Sequence, residues 1–262
     1  MFLEGLIEMS DENTNERNMS IDELRELVSR GPLPRHIGVI PDGNRRFARK
    51  RGLSLLEAYE LGVKKGEIFA EWCRDLGIRY LTFYTLSLEN LEKRSKSELD
   101  ILFDLLKKHL IRLVDDERIH RDRVRVRIAG RINLLPEDVQ DVIRHVENVT
   151  KDYDQYHLIF LIAYSGRGEI IDAIKSILAS KRDDNLMEFS EKDFRKYLYL
   201  SDIPDPDLII RTSGEMRISN FLLWYIAYSE FYFVKKYWPE ISFKDLLLAI
   251  RSYQNRERRF GR

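Results

Sequence analysis

An α/β fold built on a mainly parallel central sheet is what this sequence predicts, and three observations carry the prediction. Six segments with strand character recur along the chain, several apolar on both faces, as strands covered on two sides are. Stretches with apolar residues at helical spacing lie between them. Gly 13 and Pro 7 together make roughly 8% of the 262 residues, against an average near 12%, so turns are few and helices long. Alternation of this kind implies a doubly wound sheet of about six strands with helices on both faces. No repeat or Gly/Ser/Pro linker divides the chain, so a single domain is expected.

The elements follow in order. Residues 10–20 are polar without an apolar period and read as a solvated linker. Ser20 and Glu23 have the form of a capping box, and Ile21, Leu24, Leu27 and Val28 share a helical face up to Gly31 and Pro32. His36 to Ile40 reads as the first strand. Ser54, with Glu57 three residues on, opens a helix running toward Leu76, and Tyr80 to Ser87 is the second strand. Ser95, with Glu98, opens the longest helix, which carries Leu99, Leu102, Phe103, Leu106, Leu110, Leu113 and Val114 at helical spacing. Val124 to Ala129 is the third strand, and Pro136 precedes a helix to about Lys151. His157 to Tyr164, Asp207 to Arg211 and Phe231 to Val234 complete the strands.

Composition excludes several functions. Lys+Arg 44 balance Asp+Glu 44, so the basic surplus of a nucleic-acid binder is missing. One cysteine, Cys73, rules out an intrachain disulfide and a cysteine-rich zinc site; in its apolar surroundings it reads as a buried thiol. The longest apolar runs fall short of a membrane span, and the acidic start, with Glu4 and Glu8, does not resemble a signal peptide. A soluble, cytoplasmic protein is expected.

Ligands of open parallel sheets bind beyond the carboxyl ends of the strands. After the first strand comes Pro41-Asp42-Gly43-Asn44-Arg45-Arg46-Phe47-Ala48, which sets a carboxylate, a glycine, an amide and two guanidinium groups at the start of a helix. The second strand ends in Ser87-Leu88-Glu89-Asn90, followed by Lys93-Arg94. The fifth ends in Arg211-Thr212-Ser213-Gly214-Glu215, then Arg217-Ile218-Ser219-Asn220. Any one of these loops is equally well a turn with solvated arginines. Three strand ends rich in anion-binding side chains point instead to a polyanionic, metal-bound substrate.

These segments resemble the cis-prenyltransferase family, the undecaprenyl and dehydrodolichyl diphosphate synthases, from about Pro34 to Gly261. The resemblance rests on His36-x5-Asp42-Gly43-Asn44-Arg45-Arg46, on Tyr84 to Glu98, and on Tyr164-Ser165-Gly166-Arg167. Asp205-x-Asp207 to Glu215, Arg217 to Phe221 and Tyr228-Ser229-Glu230-Phe231 continue it in the same order. The Asn-Arg-Arg form and Lys93 to Glu98 are more like the dolichol-type branch.

The resemblance implies an enzyme that extends an allylic diphosphate, farnesyl or geranylgeranyl, with isopentenyl diphosphate. The product would be a long polyprenyl diphosphate, the precursor of a glycosyl carrier lipid, with Mg²⁺ as cofactor. It implies that Asp42 holds Mg²⁺ with Glu230 as second carboxylate, and that Asn90 lies close to the departing proton. Gly43, Asn44, Arg45, Arg46, Phe47 and Arg94 would surround the allylic diphosphate, and Ser87, Leu88 and Glu89 line the same strand end. Arg211, Arg217, Ile218 and Ser219 would bind isopentenyl diphosphate. A C-terminal Arg-x-Gly motif, Arg259 and Gly261, would reach the partner's site across a homodimer. An apolar product tunnel would run along the Ser95 helix and the Leu53 to Leu76 helix, and release of the product would bring peripheral membrane contact. On this division residues 1–33 are an extension with a short helix and 34–262 the catalytic domain.

Three departures stand out. Phe47 replaces a common tryptophan, Leu91-Glu92 contains an extra residue, and Leu55 and Tyr59 stand where the family has an arginine and a histidine that bind the allylic diphosphate. Tyrosine can still donate a hydrogen bond but brings no positive charge. These departures leave open a non-catalytic subunit of a heteromeric enzyme or an altered prenyl acceptor.

Overall fold

The computed structural model describes residues 16–180 and 189–256. Its elements are α1 (Ile21–Ser29), β1 (His36–Ile40), α2 (Asn44–Arg51), α3 (Leu55–Asp75), β2 (Tyr80–Ser87), α4 (Leu88–Lys93), α5 (Lys96–Asp115) and α6 (Glu117–Arg121). There follow β3 (Val124–Ala129), α7 (Glu137–Thr150), β4 (Tyr156–Tyr164), α8 (Gly166–Ser180), α9 (Glu191–Arg195), β5 (Leu208–Arg211), β6 (Glu230–Phe233) and α10 (Phe243–Gln254).

The six strands form one sheet in the order β3-β4-β2-β1-β5-β6, and every pair is parallel. The fold class and the strand bounds are those the apolar runs predict, to within a residue at each end. β1 and β5 are buried at every position, as strands covered on both faces must be. From β1 the chain crosses toward β2, whereas from β5 it crosses the other way to β6. The loops after β1 and β5 therefore part at a topological switch point, where such sheets open a crevice.

Capping boxes form at Ser20 with Glu23 and at Ser54 with Glu57. At Ser95 only half of the box is made: its hydroxyl accepts the Glu98 amide at 3.3 Å, while the Glu98 carboxylate turns elsewhere. α1 packs on the core, with Leu24 and Val28 fully buried beneath α10. Of the expected linker, residues 10–15 lie outside the described residues. Glu16 is buried and pairs with Arg251 at 3.0 Å, so this end of the stretch is docked, a correction to the linker reading.

The amino end of the sheet is closed by polar contacts that satisfy one another. Asp207 accepts the backbone N–H groups of Arg35 and His36 at 2.7 and 2.9 Å. His36 Nδ1 donates to the Pro204 carbonyl at 2.7 Å, which leaves Nε2 to accept the Thr82 hydroxyl at 2.8 Å. Burial pulls this imidazole down to about 4, so it is held neutral.

Candidate active site

The site sits at the carboxyl ends of β1, β2 and β5. Asp42 follows β1, and its carboxylate is held from two sides. Arg211 Nη2, at the end of β5, donates to Oδ2 at 2.9 Å, and Arg46 Nη2, in the first turn of α2, donates to Oδ1 at 3.1 Å. The turn between β1 and α2 needs glycine. Gly43 has φ +104°, and a Cβ there would meet Tyr237 Cδ1 at 2.7 Å. Burial opposes ionisation of Asp42, but hydrogen bonds and charge from Arg211 and Arg46 outweigh it and hold the carboxyl below the usual range.

The arginines are themselves bound into the loop after β5. Arg46 also donates to Ser213 Oγ at 2.7 Å and to Glu215 Oε1 at 2.6 Å. Arg211, 4% exposed, donates to Ser219 Oγ at 2.8 Å and to the Arg217 carbonyl. Arg217 pairs with Glu215. Ser213, Ser219 and Asn220 all have positive φ, and strain of this kind concentrates where a loop is shaped for a ligand. Asn220 is tied down by Glu89 at 2.8 Å and Ser165 at 2.7 Å.

A second arginine network lies on the facing side. Tyr59 of α3 is 7% exposed; its hydroxyl donates to Glu98 Oε1 at 2.6 Å and accepts from Arg94 Nη1 at 2.9 Å. Arg94 and Glu98 pair at 3.1 Å, and Arg45 stands 3.8 Å from the same carboxylate. Burial and then the Glu98 carboxylate raise the Tyr59 phenol well above its usual value, so it stays protonated as donor. Three buried polar atoms at this mouth have no hydrogen-bond partner among the described residues: Asn44 Oδ1, Arg94 Nε and Arg211 Nε. Buried polar groups are seldom left so, and these three mark the mouth as a place where the fold leaves hydrogen-bonding capacity unused; the guanidinium groups that face outward here are those of Arg45, Arg46 and Arg217.

Behind the mouth a cavity of about 990 Å³ descends between α3, α5 and the sheet. Its walls are largely apolar, with Val63 and Gly66 from α3, Leu102, Leu106 and Leu110 from α5, and Phe83 and Phe160 from the sheet.

Most of the predicted residues converge. Asp42, Gly43, Asn44, Arg45, Arg46, Ser87, Glu89, Asn90, Arg94, Arg211, Arg217 and Ser219 all line this one cavity. Several do not. Phe47 is buried with Ala48, Ala58 and Leu55 in a small core of its own, which also gives Leu55 an apolar reason to be there. Leu88 begins α4 without lining the cavity, and Ile218 packs against the core beside Phe221. Glu230 lies at the wrong end of the sheet. It is in register with Leu208 at the start of β5, while Ile40 and Arg211 mark the end near Asp42, and it pairs with Arg256 instead. A metal shared by Asp42 and Glu230 is therefore not assembled within one chain. Arg259 and Gly261 lie outside the described residues. Of the predicted tunnel residues Leu102 and Leu106 line the cavity, whereas Phe103 packs into the core toward α7.

Sequence reasoning missed the bridge from Tyr59 to Glu98. Its one signal was the pair of departures at Leu55 and Tyr59; Glu98 itself read as an ordinary capping residue.

Comparison with known proteins fits this geometry. The prenyltransferase family model described as undecaprenyl diphosphate synthase matches residues 40–261. A Methanopyrus kandleri protein named tritrans,polycis-undecaprenyl-diphosphate synthase (geranylgeranyl-diphosphate specific) is 53% identical over 241 residues, 91% of this chain and 89% of that one. An isoprenyl transferase of Thermotoga maritima is 49% identical, over 87% of this chain and 97% of its own. Among solved structures, lavandulyl diphosphate synthase from Lavandula x intermedia, in complex with dimethylallyl diphosphate, superimposes with a TM-score of 0.83. It is 34% identical and is matched over 88% of this chain and 99% of that one.

Proposed function

This chain belongs to the undecaprenyl diphosphate synthase family and is a prenyl transferase; we propose that it extends geranylgeranyl diphosphate with isopentenyl diphosphate to a long polyprenyl diphosphate, a carrier-lipid precursor. The observation that carries this reading is the junction of two unlike surfaces. The partly exposed guanidinium groups of Arg45, Arg46 and Arg217 rim an apolar cavity, which suits a molecule with a diphosphate head and a hydrocarbon tail. Geranylgeranyl is preferred to farnesyl as primer because the Methanopyrus kandleri relative is named for it.

In the proposed reaction the allylic diphosphate rests against Arg45, Arg46, Arg94 and the amino end of α2, whose first N–H groups have no partner within the helix. The bond from its first carbon to oxygen breaks, and the electron pair leaves with pyrophosphate. The double bond of isopentenyl diphosphate, held by Arg211, Arg217 and Ser219, attacks that carbon; the carbocation this leaves on the isopentenyl unit loses a neighbouring C–H proton near Asn90 to the released pyrophosphate, and a new double bond forms. Guanidinium groups held in place beforehand stabilise the charge on the leaving group with less reorganisation than water would need.

A divalent metal fits this mouth. Asp42 offers an ionised, hard carboxylate, and among the described residues no three His, Cys, Asp or Glu side chains form a cage of their own. Magnesium is commonly held in this way, by one or two carboxylates with substrate phosphates completing the shell. Bound there, Mg²⁺ would add positive charge to the departing pyrophosphate. Asp42 would have to exchange part of its contact with Arg46 and Arg211 for the metal.

The division at residue 34, the homodimer and the cross-subunit role of Arg259 and Gly261 belong to the same proposal. So does peripheral membrane contact for product release; no helix among the described residues is long and apolar enough to cross a membrane. The intact set of Asp42, Arg46 and Arg211 favours a catalytic chain over a silent subunit. The test is incorporation of labelled isopentenyl diphosphate with geranylgeranyl, farnesyl or dimethylallyl diphosphate and Mg²⁺. Incorporation that stops with a chelator and returns with Mg²⁺ is expected; none with any primer would overturn the reading.

A further inference from the structure

We infer that Gly66 sets how long an allylic chain the cavity accepts, an inference that rests on the condensation proposed above. Gly62 and Gly66 stand one turn apart on the same face of α3, and both line the cavity. They differ in what a side chain would meet. A Cβ on Gly62 would come within 2.6 Å of Asn44 Oδ1, and the Gly62 carbonyl accepts Trp238 Nε1 at 2.8 Å. That glycine lets neighbouring segments close on the helix. A Cβ on Gly66 would meet nothing within 4 Å among the described residues. Glycine inside a helix is less stable than alanine, so neither packing nor helix formation accounts for Gly66. What it leaves open is cavity.

The helices are held apart at this level. His109 of α5 places Nε2 3.1 Å from Glu60 Oε2 and Nδ1 3.3 Å from Glu67 Oε1, while Lys108 Nζ reaches Glu60 Oε1 at 2.6 Å. These contacts join α3 to α5 without filling the space between Gly66 and the apolar wall of Leu105, Leu106 and Phe83.

Depth can be read along α3. The mouth is marked by Tyr59, bonded to Arg94 and Glu98; the far end is marked by Arg74 on Asp122 at 2.9 Å and by Glu71 on Arg118. At 1.5 Å per residue Gly66 lies roughly 10 Å below Tyr59, and the far end roughly 12 Å beyond that. A short allylic chain anchored at the mouth ends above Gly66, and a long one passes it. A side chain at this position would stop the second and spare the first.

The experiment compares the unsubstituted protein with Gly66→Leu and Gly66→Ala, using dimethylallyl, geranyl and geranylgeranyl diphosphate as primers. For Gly66→Leu, kcat/KM with geranylgeranyl diphosphate is expected to fall about tenfold or more relative to that with dimethylallyl diphosphate, as pocket discrimination by a few carbons permits. Its products should be shorter. Gly66→Ala should raise the melting temperature by about 2–4 °C and shift the primer ratio in the same direction but less. An unchanged primer ratio and product ladder in both variants, or a lower melting temperature for Gly66→Ala, would overturn the inference while leaving condensation intact. Absence of incorporation by the unsubstituted protein would sink condensation itself, and this inference with it.

Discussion

The two ends of the same sheet use the same kinds of side chain to opposite purposes. At the amino end His36, Thr82, Asp207 and the Pro204 carbonyl satisfy one another and Glu230 is paired with Arg256; His157 Nδ1 has no partner among the described residues, but burial holds that imidazole neutral. At the carboxyl end Asp42, Arg46, Arg94 and Arg211 are also paired, yet Arg94 Nε and Arg211 Nε have no partner among the described residues. A network without an unmatched charge stabilises the fold alone. An unsaturated one of positive sign, opening on an apolar cavity, is prepared to receive something.

The sharpest way to break this contrast is at Asp42. Asp42→Ala should cut condensation by about a thousandfold, since it removes both the proposed metal ligand and the group that orients Arg46 and Arg211. It should also cost about 3 kcal/mol of stability, because the nearly buried Arg211 loses its counter-charge. Asp42→Asn keeps a hydrogen-bond acceptor and should lose activity to a similar degree but less stability. Turnover by isotope incorporation and stability by urea unfolding separate the two effects. Full activity in either variant would remove Asp42 from the chemistry.

Arg211→Gln should come next. Loss of one charged contact to a diphosphate is worth about 1.5–3 kcal/mol, or roughly a ten- to hundredfold rise in the KM for isopentenyl diphosphate. A rise confined to the allylic primer would reverse the assignment of the two diphosphates. Tyr59→Phe should have a smaller effect. It leaves Arg94 and Glu98 paired but removes the hydroxyl between them, so the KM for the primer should rise about fivefold with kcat little changed. Equal falls in kcat and kcat/KM would mean that Tyr59 acts on the reacting groups directly.

How far the sequence revealed this contrast differs from residue to residue. Strands apolar on both faces announce themselves, and the strand ends then place Asp42 and Arg211 together without any side-chain detail. The place of Glu230 is legible in the same way: the first residue of a parallel strand lies at the amino end of the sheet. Glu98 was not avoidable. Ser95-x-x-Glu98 has the same pattern as Ser20-x-x-Glu23 and Ser54-x-x-Glu57, and both of those form full boxes. What diverts Glu98 is the Tyr59 hydroxyl 39 positions away, together with Arg94, and charge-assisted bonds across such a separation leave no local signal. The cavity was legible only as an amphipathic helix. Which leucines face the void and which the core depends on how α5 is rotated against the sheet.

The smallest effect on activity is expected at the amino end, and for that reason it tests the contrast from the other side. His36 has a folded value of about 4, below its ordinary value of 6.5. Between those limits the unfolded chain binds the extra proton and the folded chain does not, so stability is complete above pH 6.5 and is lost as the pH falls toward 4. A drop of about 3 kcal/mol across that window corresponds to the shift. His157, stacked on Tyr80 at 4.4 Å and also pulled down to about 4 by burial, adds a loss of the same sign. Asp42, whose carboxyl lies below its ordinary 3.8, loses its contribution only at lower pH, so the two ends come apart in separate windows. His36→Gln should therefore reduce the slope of unfolding free energy against pH between 6.5 and 4, while leaving both KM values at neutral pH within about twofold of the parent. A changed KM would show that the amino end reaches the diphosphate site, and the division of the sheet into a closed end and a receptive one would fail.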